Sequence, residues 1–439
     1  MTYKITKIEQ VIHRNVLKKC ILALKKKTLS FIYNIGIKIT DFALKCLSSF
    51  NIKIKLGVIG RSKTFGILQD NLNAKSKTLW FHCASLGEYE QGLPIFKELR
   101  RHFYQHKIVL SFFSPSGYEI RKNTPIADIV IYLPLDTRRN AKQFINIVNP
   151  ELTVFVKYDI WPNFLNEIKT RNLRAVLISA LFRKNQPYFK FYGKTLKQAL
   201  FSFEHIFTQN ESSKQLLESI DYKNATVSGD TRFDRVTNQL EQDNTLEFVE
   251  NFKNNQVCLV AGSTWKEDEQ LLINFINSEN TDRIKIIIAP HNIKENQIRN
   301  LKESLSVKTA LYSERDKINV ANVQVLIIDS IGILTKIYSY ADISYIGGAM
   351  GNTGLHNTLE AAVFGVPIII GKNHLKFPEA LTMIENGGMF SVSNQDEFDK
   401  ILNKLIKNSD LRIEYGSKNS QYVRNNKGAV IQILDYLRI

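Results

Sequence analysis

Twelve short apolar runs, each four to seven residues long and separated by stretches of helical spacing, constrain this chain more than any other feature. Residues 78–83, 107–113, 128–133, 151–156, 173–179 and 205–208 form one series, and 257–261, 284–289, 307–311, 323–328, 343–346 and 366–370 a second. Runs that are apolar throughout, rather than at alternate positions, fit strands buried on both faces of a parallel sheet and joined by crossover helices. The expected fold is α/β, two consecutive doubly wound halves of similar size, with ligands bound beyond the carboxyl ends of the strands in a cleft between the halves. Residues 229–255, rich in Asp, Asn and charge, read as the linker. At 439 residues, 44% apolar and 23% charged, the chain can fill two such cores, and disordered or low-complexity classes are excluded.

The charge is unevenly spread. Residues 1–65 hold 14 Lys and Arg against Glu9 and Asp41, and so carry twelve of the chain's seventeen net positive charges. This concentration argues against a nucleic-acid groove built across the fold and for a basic arm that meets an anionic surface. Within it Phe31, Ile32, Ile35, Ile39, Phe42, Ala43 and Cys46 recur at helical spacing, while Lys38, Asp41 and Lys45 interrupt any long uncharged run. A spanning helix needs about 20 mostly apolar residues, so the segment is expected to lie in a membrane interface. The alternative is a helix packed on the protein's own core with a solvated basic face. No signal-peptide pattern precedes it, which puts the body of the protein in the cytoplasm. Cys20, Cys46, Cys83 and Cys258 show neither CxxC spacing nor pairing with nearby His, so no metal ribbon or disulfide is expected, and Cys83 and Cys258 read as small buried hydrophobes.

Chemistry is expected just after the strands, where four stretches stand out. After Cys83, Ser85 and Glu88 have the spacing of a capping box. The functional alternative makes Glu88 a base that takes a proton from an acceptor hydroxyl, provided its basicity is protected from the helix dipole. After Val156, Lys157 is placed to meet a phosphate, while Asp159 and Trp161 are either a helix-entry acid and a packing aromatic or parts of a substrate site, with Pro162 starting the helix. After Ala261, Gly262, Ser263 and Thr264 lead into the acidic turn Glu267, Asp268, Glu269. This is either an ordinary Ser/Thr cap or a phosphate-holding helix start, and it lacks P-loop spacing. After Ile346 a Gly-rich turn runs through Gly354 to a helix beginning near His356, with His356 and Glu360 on one face. Zinc would need more ligands, so no metal is expected. Glu360 suits the hydroxyls of a ribose, and a structural His-Glu pair is the alternative.

Taken in order, WFHCASLGEYEQGLPIFKEL, YLPLD, DIWPN, AGSTWKEDEQ, IIIAPHN and GLHNTLEAAVFGVPIIIG resemble the bacterial Kdo transferases, which move 3-deoxy-D-manno-octulosonic acid (Kdo) from CMP-Kdo to the lipid A precursor. The resemblance covers nearly the whole chain from about residue 31. It implies the GT-B glycosyltransferase fold, two Rossmann-like domains facing across a cleft: an amphipathic membrane-associating arm over 1–65, an acceptor domain over 66–235 and a donor domain over 236–439, whose last helix is a candidate to cross back. It implies Glu88 as general base, with Ser85, Gly87, Lys157 and Asp159 around the acceptor. Around the donor it implies Ser263, Pro290, His291, Gly354, His356, Asn357, Glu360 and Arg232.

Five positions depart from the family pattern. Lys157 and Asp159 stand where Glu-x-Glu is common, Arg232 replaces a Lys, Ile333 replaces a Glu and Leu355 a Gly, so the chain reads as a divergent branch. The expected reaction is inverting, without metal or cofactor, CMP-Kdo being a substrate. The expected partners are CMP-Kdo, the lipid A precursor (lipid IVA) and the anionic inner-membrane surface, with no nucleic acid. The rival readings are a GT-B enzyme using a UDP-sugar and a non-catalytic membrane- or RNA-binding protein that presents the basic arm.

Overall fold

A computed structural model describes residues 31–278 and 283–439. The chain forms two compact units, one running to Thr231 and taking back Gly428–Ile439, the other spanning Arg232–Lys427.

The first unit is built on seven strands: β1 (Thr78–Cys83), β2 (Lys107–Phe112), β3 (Ile129–Tyr132), β4 (Leu152–Val156), β5 (Arg174–Ala180), β6 (His205–Thr208) and β7 (Ala225–Val227), in the order β3-β2-β1-β4-β5-β6-β7. All pairs are parallel, and β1 is paired on both sides, Trp80 facing Val109 and Thr153. Every residue of β1 and β4 is buried, as their unbroken apolar sequences require. Trp80 anchors one face, with its ring 4.7 Å from Phe144, 5.2 Å from Phe155 and 5.7 Å from Phe164. β7 escapes the sequence pattern because it is three residues long and only Ala225 is buried.

The second unit repeats the plan with β8 (Val257–Thr264), β9 (Ile284–Pro290), β10 (Thr309–Leu311), β11 (Val325–Ile327), β12 (Ile343–Ile346), β13 (Ile368–Gly371) and β14 (Met389–Val392), in the order β10-β11-β9-β8-β12-β13-β14. The stretch read as a linker is not one. It holds the helices Thr231–Thr237 and Glu247–Lys253, and Phe233, Val236, Val249 and Phe252 enter the core of the second unit. Its polar residues mark outward faces of short helices, and the unit boundary falls at Thr231 instead of 235.

The N-terminal segment also divides differently from the expected arm. The helix Ile52–Asn71 belongs to the first unit: Leu68 is fully buried, the Thr64 hydroxyl donates to the Tyr132 carbonyl at 2.7 Å, and Gly60 lets the helix lie against the Tyr132 ring, which a Cβ there would meet at 2.1 Å. The helix over 31–47 keeps its apolar residues outward, with Phe31 63% and Phe42 69% exposed. It is tied down by Tyr33, whose hydroxyl donates to Asp136 at 2.8 Å, and by Asn34, which accepts from Asn163 at 3.1 Å. Eight of the arm's bases, and Cys20, fall in 1–30, outside the described residues. Among the described residues no helix is long and apolar enough to cross a membrane.

The last helix, Ala429–Leu437, packs Ile433 and Leu437 into the first unit's core beside Leu99 and Phe207. Replacing the fully buried Ile433 by Ala is expected to destabilise that unit by about 2–4 kcal/mol, read as an earlier urea transition of the first unit.

Candidate active site

The central strand β1 ends at Cys83 and turns at once into the helix Leu86–His102, which places Glu88 in the first turn. The Glu88 side chain is buried, 7% exposed, and accepts the Ala84 N–H at 2.5 Å. Only half of the expected capping box forms. Ser85 is the N-cap residue, yet its hydroxyl makes no cap hydrogen bond; only the Glu88 carboxylate folds back, onto the amides of Ala84 and Ser85. Burial pushes the Glu88 carboxyl up to about 7 and the nearby charge of Asp159 pushes the same way, while the Ala84 and Ser85 amides and Lys157 pull it down. Desolvation therefore outweighs the favourable helix start. Gly87, beside it, is exposed: a Cβ there would have only the Ser85 hydroxyl, at 4.0 Å, within reach. Packing does not require a glycine at this helical position, so the bare surface is open to a ligand.

Asp159 is not the helix-entry acid. That part is taken by Asp136, fully buried, which accepts the amides of Asn163 at 2.9 Å and Phe164 at 3.0 Å as well as the Tyr33 hydroxyl; burial raises its carboxyl to about 6. Asp159 is left to a second network. Its Oδ2 lies 2.5 Å from His82 Nε2 and 2.9 Å from Trp161 Nε1. His82 Nδ1 lies 2.8 Å from the Ser111 hydroxyl, which accepts Trp80 Nε1–H, also at 2.8 Å. Ser111 Oγ also lies 3.4 Å from the Phe81 carbonyl, and Trp161 Nε1 3.0 Å from His82 Nε2, so the imidazole is held at both nitrogens. His82 and Ser111 were missed because both are buried mid-strand residues, paired across β1 and β2. The available signal was one histidine inside an otherwise apolar strand. Lys157 follows β4 with a left-handed φ of 69°, an unusual backbone for a side-chain-bearing residue at a strand end. Glu88, Asp159 and Lys157 thus share one electrostatic neighbourhood at the carboxyl ends of β1 and β4.

In the second unit Ser263 is not an N-cap. It lies within the last residues of β8 at a register shift against β9, with φ 55°, and the Trp265 amide bonds Asp268 at 2.9 Å. Pro290 ends β9, and the His291 amide returns to the Thr264 carbonyl at 2.9 Å. Trp265 stacks on His291 at 4.6 Å and donates its Nε1–H to His356 Nε2 at 3.0 Å, while the two imidazoles lie 4.5 Å apart. Burial, and then His291, lower His356 to about 4, and burial lowers His291. Both are neutral at pH 7, and Trp265 leaves the remaining proton of His356 on Nδ1.

The following helix starts at Leu359, three residues later than expected, so His356 and Glu360 do not share a helix face. Gly348 and Gly354, at φ 96° and 100°, close the loop through the Gly354 amide and the Gly348 carbonyl, and the chain leaves it without helical structure. Asn357 then accepts the Leu359 amide at 3.2 Å and donates to Glu360 at 3.1 Å, where Arg235 also lies at 3.4 Å. Arg232 bonds Glu379 at 2.9 Å. Asp268, read from sequence only as a dipole-matched acid, organises the whole turn: it accepts from the Trp265 and Gly348 amides and from Tyr345 at 2.7 Å. Among the described residues no group of three or more His, Cys, Asp or Glu is placed to hold a metal.

A folded-state pKa near 7 against an unfolded value near 4.3 means that folding takes up a proton at Glu88 between those values, so its burial lowers stability as pH rises through that window. Glu88→Gln is expected to raise stability at pH 8 by about 1–3 kcal/mol and to change little at pH 4, read by thermal melts at both values.

Residues 60–235 match the family model described as 3-Deoxy-D-manno-octulosonic-acid transferase (kdotransferase). The 3-deoxy-D-manno-octulosonic acid transferase of Haemophilus influenzae is 26% identical over 374 residues, covering 82% of this chain and 86% of its own. That of Aquifex aeolicus is 24% identical, covering 80% and 92%. Among solved structures, the UDP-GlcNAc 2-epimerase of Neisseria meningitidis bound to UDP-GlcNAc has a TM-score of 0.57 at 14% identity, covering 83% of this chain and 100% of that one, a likeness of fold. The family match spans the Glu88 and Asp159 segments, and 3-deoxy-D-manno-octulosonic acid transferases align over four-fifths of the chain; the chain is similar to this family over most of its length, and its fold is of the GT-B kind.

Proposed function

We propose that the protein transfers Kdo from CMP-Kdo to a lipid A precursor, lipid IVA, with inversion, in lipopolysaccharide biosynthesis. The observation that carries the mechanism is Glu88: a buried carboxylate with a pKa of about 7 beside the bare surface of Gly87. Ionised, it takes the proton of an acceptor sugar hydroxyl. The freed oxygen bonds to the anomeric carbon of Kdo as the bond to the CMP phosphate breaks, the electron pair leaving with the phosphate. Asp159, held by His82, keeps Glu88 basic, and Ser85 and Lys157 hold the acceptor, the ammonium meeting an acceptor phosphate.

The donor is assigned to the second unit. His356 Nδ1–H and His291 offer uncharged donors to the CMP phosphate at the Ser263 turn, and Arg232 offers charge. Asn357 and Glu360 accept the ribose hydroxyls, with the close backbone of Gly354 and the strand end at Pro290 shaping the pocket. The mechanism uses no metal and no cofactor. The exposed apolar face of helix 31–47, with Lys38 and Lys45, rests on the cytoplasmic face of the inner membrane, where the acylated acceptor resides.

Mass spectrometry of a tetraacylated lipid A precursor incubated with the protein and CMP-Kdo is expected to show one or more added Kdo units, and none with Glu88→Gln. An unchanged precursor mass with wild-type protein would overturn the reading. Thermal protection by UDP in preference to CMP would move the donor to a UDP-sugar.

Because the ionised form of Glu88 is the active one, kcat/KM is expected to rise with pH through about 7. Asp159→Asn removes a charge that raises this value, so the midpoint is expected to move to lower pH; a midpoint that stays in place would remove Asp159 from the site.

A further inference from the structure

We propose that the loop carrying Phe191 and Tyr192 is a second lipid contact of the first unit, separate from the N-terminal helices, that inserts an aromatic pair into the headgroup region of an anionic membrane. The proposal deepens the membrane reading above and does not rest on the identity of the transferred sugar.

Residues 181–203, between β5 and β6, contain seven aromatic residues and five bases, Arg183, Lys184, Lys190, Lys194 and Lys197, without a single acid. Phe191 is 95% exposed and Tyr192 57%, their rings edge to face at 5.3 Å. Arg183, Lys184 and Lys190 around them are exposed as well.

The pair is held outward by a built base. Phe182 and Tyr188 are buried and meet Phe189 at 5.7 and 6.0 Å, and the Tyr188 hydroxyl donates to the Tyr158 carbonyl at 2.9 Å. Gly193 closes the turn, since a Cβ there would fall 1.5 Å from the Pro187 carbonyl. An aromatic pair on a rigid turn has no groove of its own to enter. With Lys190 next to it and Arg183 and Lys184 exposed in the same loop, it matches the preference of aromatic side chains for the headgroup level and of Lys and Arg for anionic lipid.

The place in the fold agrees. The loop leaves the carboxyl end of β5, the neighbour of β4, on the edge of the sheet where Glu88 and Asp159 lie. Tyr188 at its base is also within electrostatic reach of Tyr33 on the exposed helix 31–47. The acceptor-side residues are therefore bracketed by two apolar and basic elements of the same unit.

The test uses the full chain and vesicles of phosphatidylethanolamine and phosphatidylglycerol, with phosphatidylcholine vesicles as the neutral control. Phe191→Trp is expected to give a blue-shifted emission on the anionic vesicles, quenched by brominated acyl chains beyond the level of the three native tryptophans. The double variant Phe191→Ser, Tyr192→Ser is expected to cosediment about tenfold more weakly, as when one of two linked contacts is lost, with an unchanged melting temperature. No blue shift, or unchanged cosedimentation, would overturn the proposal, as would tighter binding of the wild type to a short RNA than to the vesicles. Transfer to a short-chain, water-soluble acceptor should survive the double variant; its loss with cosedimentation intact would place the loop in the sugar site. A wild-type protein that shows the lipid response but no Kdo transfer would refute the functional reading and leave this one standing.

Discussion

Pairing of β1 on both sides is the constraint on which the rest depends. With β2 and β4 both hydrogen-bonded to it, and all of its side chains buried, the strand has no freedom to slide, and the turn that follows Cys83 is fixed in space. Glu88 inherits that position. The same strand directs Trp80 and His82 to one face, where Ser111 of β2 and Asp159 after β4 meet them. One register sets Glu88, the Asp159 carboxylate in its neighbourhood and the imidazole bonded to that carboxylate. A one-residue slip would turn all of these side chains to the opposite face.

Uncharged groups do much of the electrostatic work. Burial holds His291 and His356 below the ordinary imidazole range, and His356 accepts the Trp265 N–H at 3.0 Å. In the first unit, burial and the charge of Asp159 together keep the Glu88 carboxyl above its ordinary range.

Much of the fold was legible because a strand buried on both faces leaves an unbroken apolar run, and twelve of the fourteen strands did. β7 and β14 are short with partly buried residues, so no run marked them. The helices at 231–253 were misread because single aromatic and aliphatic residues among Asp and Asn carry the packing. In the candidate site, residues named from motifs at strand ends lie at strand ends, but their partners did not follow from spacing. Glu360 meets Asn357 and Arg235 in place of His356, since the helix starts late. Asp136, to which no local pattern assigned a role, bonds the helix-entry amides, and of the two readings open for Asp159 the helix-entry one is excluded. His82 and Asp268 act through residues distant in sequence, which no local pattern reports.

The return of Ala429–Leu437 to the first unit makes the second unit an insertion in the chain of the first. During synthesis the strands of the first unit are complete just over two hundred residues before Ile433 and Leu437 exist to cover them. The unit that begins first is finished last, with an apolar face awaiting its cover while the inserted unit forms its own separate core. A single proteolytic cut within Arg232–Lys427 therefore leaves the first unit in two separate pieces of chain.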